Sequence, residues 1–159
     1  MKSLIVVVTT IALANTVFST PVHAANRWSN AVESCQGALP NFEGALRKRP
    51  LAIDNEGTSA AFVTCSMAAD LGSPSGVTGV AALFTNRTGG AVTVNCTLIS
   101  GIVGTAIYLP KAIAIAANGQ VIASWDSASD NGGHAFLLAN LSCALPVGTE
   151  INVVQTNFT

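Results

Sequence analysis

Residues 91–98, AVTVNCTL, alternate without a break: Val92, Val94, Cys96 and Leu98 fall on one side, Ala91, Thr93, Asn95 and Thr97 on the other. A period of two is the mark of a strand with one buried face, and it turns Cys96 inward. Leu141-Ser142-Cys143-Ala144-Leu145 repeats the pattern, with Cys143 between two inward leucines. Val77 to Phe84 (VTGVAALF) is apolar in both phases, as a central strand would be. Leu51-Ala52-Ile53, Ser59–Ser66, His134–Leu138 and Glu150–Thr156 read as further short strands. Between them lie turn-forming stretches at Asp54–Gly57, Gly72–Gly76, Asn86–Gly90, Asp126–Gly133 and Pro146–Gly148.

Residues 111–125, KAIAIAANGQVIASW, suggest a hairpin turning at Asn118-Gly119. That register sets Ile115 opposite Ile122 and Ile113 opposite Ser124. A longer loop joining strands of different sheets fits the same residues. Helical signal is confined to Asn41–Arg49 (NFEGALRKR), where Asn41 can cap and Phe42, Ala45 and Leu46 share a face. Gly44 weakens this turn and Pro50 ends it.

Seven to nine short strands with turns every 8–12 residues predict an all-β fold. The expected architecture is an antiparallel β-sandwich, immunoglobulin-like or related, with a small closed β-barrel as the alternative.

Composition adds the compartment. Lys2 and the apolar run Leu4–Leu13, closed by Val22-His23-Ala24, form a secretory leader over residues 1–24. The run is too short for the roughly 20 residues of a spanning helix. The mature chain, residues 25–159, then forms one domain, with residues 25–50 as an N-terminal segment holding the short helical turn, and no membrane span remains. Cys35, Cys65, Cys96 and Cys143 all lie in it. An even count in an exported chain reads as two disulfides rather than a metal site, since no close-spaced pair is present. Three connectivities are open; Cys35–Cys65 with Cys96–Cys143 is favoured as joining nearest neighbours along the chain. The overall pattern is that of a small exported bacterial β-protein, secreted or periplasmic.

Charge narrows the function. Asp and Glu number 8, Lys and Arg 7, and charged residues make up 9% of the chain, against ~25% in an average soluble protein. A nucleic-acid partner needs a basic field that this chain lacks. The one dense cluster, Arg47-Lys48-Arg49, is best read as the cationic end of the helical turn, and as the place where an acidic partner would dock.

Catalysis has little to draw on. His134 is the single histidine of the mature chain, and no G-x-S-x-G elbow accompanies it. Asp126 and Asp130 share the loop DSASDNGGH and are weak calcium candidates, since their spacing departs from the known loop order. No cofactor motif is present. Trp125, at a strand end beside that loop, is the one candidate platform for a sugar, with a buried core position as the competing reading. The expectation is a non-catalytic binding or interaction module for a protein or glycan partner. A surface-assembling envelope protein is the alternative, and a small enzyme is third.

Overall fold

The computed structural model describes residues 25–67 and 76–158; the expected leader over residues 1–24 and most of the turn expected at Gly72–Gly76 lie outside them. The elements are β1 (Ala25–Asn30), α1 (Ala31–Ser34), β2 (Cys35–Gly37), α2 (Pro40–Glu43), β3 (Leu46–Arg49), β4 (Ala52–Asn55) and β5 (Ala61–Ser66). There follow β6 (Val77–Asn86), β7 (Val92–Ser100), β8 (Ile107–Ile115), β9 (Gln120–Asp126), α3 (Ser127–Asp130), β10 (Asn140–Leu145) and β11 (Thr149–Phe158). They form two antiparallel sheets. One has the order β3-β4-β11-β6-β9, with β1 also pairing on β11; the other is β2-β5-β10-β7-β8. The protein is an all-β sandwich, not a closed barrel.

Alternation decides what lies between the sheets. From the five-stranded sheet come Val63, Val94, Leu98, Ile115, Leu141 and Leu145; from the other come Ile53, Val80, Phe84, Trp125, Ile151 and Val154. All are essentially inaccessible and form one continuous core. Cys96 lies directly opposite Cys143 on β7 and β10, and Cys35 opposite Cys65 on β2 and β5. Disulfides join each pair, closing loops of 30 and 47 residues. Both therefore staple neighbouring strands of the same five-stranded sheet.

Two expectations are corrected. The stretch Asn41–Arg49 is not one helical turn: α2 ends at Glu43, and Leu46–Arg49 is the edge strand β3, paired with β4. Leu46 is buried while Arg47, Lys48 and Arg49 are exposed, so one apolar anchor in an edge strand outweighs weak helical signal next to Gly44.

The Asn118-Gly119 hairpin does not form either. Strand β8 pairs with β7 and β9 with β6, in different sheets. A two-residue turn of the primed type needs positive φ at both centres, and here Asn118 has φ 51° while Gly119 is not among the positive-φ residues. The deeper reason is Trp125. A hairpin would put it on the face opposite Ile113 and Ile115, whereas crossing between sheets buries all three, leaving Ile122 exposed instead. Smaller differences are the extra strands β1 and β2, and residues 134–138, which form only a single bridge, Val77 to Phe136.

The crossing is one of four at the same end of the sandwich. Residues 56–60, 87–91, 116–119 and 146–148 each carry the chain from one sheet to the other. Their backbones are bonded in a row: Gly148 N to Asn55 O, Arg87 N to Gly148 O, Asn118 N to Thr88 O, and Asn86 N to Gly119 O, all at 2.8–3.0 Å. Gly148 sits at φ 72°, and a Cβ there would stand 2.8 Å from the Thr88 methyl, so only glycine fits. Two fully buried asparagines fasten the row. The Asn86 side chain accepts from Thr88 N (2.8 Å) and donates to Gly90 O (2.7 Å) and Ala116 O (2.9 Å). The Asn55 side chain accepts from Gly57 N (3.0 Å) and donates to Ser59 O (2.9 Å) and Leu145 O (2.7 Å).

On the open flank, β8 and β9 cover one another's edges. Trp125 Nε1 donates to Leu109 O at 2.9 Å, and Lys111 Nζ donates to Ser124 O at 2.6 Å and to an Asp130 carboxylate oxygen at 2.9 Å. Among the described residues no helix is long and apolar enough to cross a membrane.

Candidate functional site

The end opposite the four crossings is built differently. There β7 turns into β8 through residues 101–106, and the β9–β10 connection passes beside it at 131–139. The Ser100 hydroxyl holds the two together, accepting from Leu137 N at 2.8 Å and donating to Leu137 O at 3.2 Å. Gly101 N adds a bond to the same carbonyl at 2.6 Å. With its backbone tied down, Leu137 is left 64% exposed, and Leu138 follows at φ 47°, an uncommon backbone for leucine.

The result is a cavity of about 580 Å³. Its walls are apolar, from Ile102, Ile107, Ala135, Leu137 and Leu138, with Ser100, Thr105, Asn131 and His134 as the polar side chains. Three of these are engaged internally: Ser100 as described, Thr105, whose hydroxyl donates to Ile102 O at 3.5 Å, and Asn131, whose amide donates to His134 O at 2.6 Å. The serine that lines the same cavity as His134 is thus bonded to the Leu137 backbone, which is not the arrangement of a nucleophile and its base. Sequence reading placed His134 in the polar loop but missed the cavity, because its walls come from segments about thirty residues apart.

The other singled-out residues fall elsewhere. Trp125 is 1% exposed; the surface-platform reading is corrected to the core position, since its inward phase on β9 is fixed by the alternation. Asp126 caps α3, accepting from Ala128 N and Ser129 N. Asp130 accepts from Asp126 N and Lys111 Nζ, and the first of these chiefly holds its carboxyl below the ordinary value. Both carboxylates thus close their own turn, and among the described residues no group of three or more His, Cys, Asp or Glu could hold a metal ion.

The basic triplet is divided. Arg47 pairs with Glu56, Arg49 with Asp54 and Glu56, and Arg87 from a neighbouring crossing joins Asp54 and Glu150. Lys48 points instead into a polar recess with Glu33, Gln36 and Thr64. The acidic partner for two of the three cations is therefore this chain itself.

In that network Asp54 and Glu150 lie side by side on β4 and β11, both buried. One Asp54 oxygen has no hydrogen-bond partner. Burial, and then the neighbouring Glu150 charge, push the Asp54 carboxyl above its ordinary value, with Arg87 and Arg49 opposing. A carboxyl raised in the folded state makes the fold gain stability as pH falls through that raised value. Asp54→Asn is accordingly expected to raise stability at neutral pH by about 1 kcal/mol. In thermal unfolding the gain should shrink as pH drops through the raised value toward the ordinary one, where wild-type Asp54 is itself protonated.

No protein-family model and no curated protein matches the chain. Among solved structures, a family 11 carbohydrate-binding module from Clostridium thermocellum, determined with a β-1,3-1,4-mixed-linked tetrasaccharide, is 8% identical at a TM-score of 0.44, covering 87% of this chain and 91% of that one. A non-crystalline cellulose specific carbohydrate-binding module, CBM28, is 10% identical at a TM-score of 0.38, covering 79% and 85%. A third, TmCBM61 with β-1,4-galactotriose, is 10% identical at a TM-score of 0.32, covering 84% and 83%. At TM-scores below 0.5 these likenesses carry no ligand over to this chain. Its own coordinates define the class: a two-sheet antiparallel sandwich stapled by two disulfides.

Proposed function

We propose that the protein is an exported, non-catalytic binding module whose loop-end cavity takes an apolar group of its ligand. The observation that supports this is the cavity itself. It is concave, largely apolar and held open by the Ser100–Leu137 bonds, which are features of small-ligand sites in general. Surface assembly by edge pairing is the weaker reading, because Lys111 and Trp125 already occupy carbonyls on the edges of β9 and β8.

The test is a titration of the mature protein with Nile red, a neutral apolar dye. A saturable rise in emission is expected, reduced at least fivefold in Leu137→Asp and unchanged in Leu51→Asp, an exposed leucine remote from the cavity. No saturable rise, or equal loss in both variants, overturns the reading. So would turnover on a hydrolase substrate panel that disappears in His134→Ala. Export is checked by the intact mass of protein recovered outside the cytoplasm, expected to begin at Ala25.

A further inference from the structure

We infer that the outer face of the five-stranded sheet is a second binding surface, built for a neutral, extended polysaccharide. It is distinct from the loop-end cavity, and the two stand or fall separately.

Register assigns the face. Phe62, Ala144, Asn95 and Ala112 form one row across β5, β10, β7 and β8; Thr64, Ser142, Thr97 and Pro110 form the next. Strands about 4.8 Å apart make each row roughly 14 Å long, the span of a short oligosaccharide. The small side chains in the middle leave a cleft of about 420 Å³, with the half-exposed Phe62 ring at one end. Tyr108, 66% exposed, stands one row further on β8.

Three independent observations single out this face. The first is charge: among the described residues, no charged side chain falls on the outward phase of β5, β10, β7 or β8. Lys111 lines the cleft from the inward phase, but its ammonium is held by Ser124 O and the Asp130 carboxylate. With Lys111 neutralised by Asp130, and Lys48 and Glu33 only at the Thr64 margin, the face matches an uncharged ligand better than phosphate or uronate.

The second is hydrogen bonding. On the six-stranded sheet the outward polar side chains bond one another: Gln120 to Thr85, Thr85 to Asn152, Asn152 to Glu150, Gln155 to Asn157. On the five-stranded sheet the Thr64, Asn95, Thr97 and Ser142 side chains have no hydrogen-bond partner among the described residues. Hydroxyls and an amide in a fixed row supply the donors and acceptors a carbohydrate needs, and Phe62 supplies a flat apolar face for its C–H side.

The third is rigidity. Both disulfides lie directly under this face, tying β2 to β5 and β10 to β7, while the opposite sheet has none among the described residues. A face held in advance loses less entropy on binding. Poor in charge, with unpaired polar side chains and a stapled frame, it is suited to a flat neutral chain lying across the strands.

Affinity electrophoresis of the mature protein in native gels cast with hydroxyethylcellulose, xyloglucan, glucomannan or galactan tests this, with polygalacturonate as the charged comparison. At least one neutral polymer is expected to retard the protein, with no dependence on salt. Phe62→Ala should weaken retardation about tenfold. Thr97→Glu, which puts a charge at the centre of the face, should abolish it. Ile122→Glu, on the outer face of the other sheet, should leave it within twofold. Thermal unfolding checks each variant, and Thr97→Glu decides if Phe62→Ala is unstable. Retardation by none of the neutral polymers overturns the inference, as does retardation that survives Thr97→Glu. A wild-type dimer that Thr97→Glu converts to monomer in analytical ultracentrifugation also overturns it, because a second copy then covers the face.

Discussion

Asn86→Ala is expected to lower the unfolding free energy by about 3–4 kcal/mol, among the largest effects of any single polar substitution in this protein. Asn86 is fully buried, and its side chain satisfies Thr88 N, Gly90 O and Ala116 O at once. Alanine leaves these backbone groups unpaired at the junction of two crossings, and each buried orphan costs about 1–3 kcal/mol. Asn86→Asp is a sharper variant. It keeps the acceptor toward Thr88 but turns a carboxylate oxygen toward two carbonyls. At neutral pH it should be at least as damaging as alanine, and it should recover in part under acid, where the protonated form donates again. Urea unfolding of both at neutral and acid pH is the measurement. A loss below about 1 kcal/mol for Asn86→Ala would mean the clasp is ornamental. The equivalent Asn55→Ala should behave alike, because Asn55 bonds the residues two and four positions on and a carbonyl on another strand in the same way.

Removing the Cys96–Cys143 disulfide by the double substitution to alanine is expected to cost about 4 kcal/mol, and removing Cys35–Cys65 about 3.5 kcal/mol. The loops closed are 47 and 30 residues, and closure entropy grows slowly with length. A small domain of this size has about 5–15 kcal/mol in total. Either double variant should therefore fold with a sharply lower midpoint in urea, and the variant lacking both should be largely unfolded. All four cysteines are nearly inaccessible, so reductant should act on the native protein only as fast as it opens. If reductant left the urea midpoint where it was, the staples would contribute nothing.

Much of the framework is legible in the residues. AVTVNCTL and LSCAL carry their period of two on the surface, and β7 and β10 appear with Cys96 and Cys143 facing inward. The turn stretches at Asp54–Gly57, Asn86–Gly90 and Pro146–Gly148 are likewise plain. What these turns do is hidden. Asn55 and Asn86 look like ordinary turn formers, yet each is a buried clasp whose partners lie up to 90 residues away. The binding surfaces were hidden for the same reason. Phe62, Asn95, Pro110 and Ser142 share a cleft only because β10 inserts between β5 and β7.

Alternation and turn chemistry are local, set by side-chain direction and backbone preference within a few residues. By themselves they determined that the chain is all-β, where most strands lie, and that Cys96 and Cys143 face inward. Which sheet a strand joins is not local. The segment around Asn118-Gly119 satisfies a hairpin and an inter-sheet crossing about equally, and only the burial of Trp125 against the same core as Ile113 and Ile115 chooses between them. Likewise, three adjacent cations read as one patch, until the edge strand turns Arg47 and Arg49 toward Glu56 and Asp54 and sends Lys48 elsewhere. Tertiary structure decided these because the energies at stake, a buried tryptophan or a desolvated carboxylate, arise only when distant segments meet.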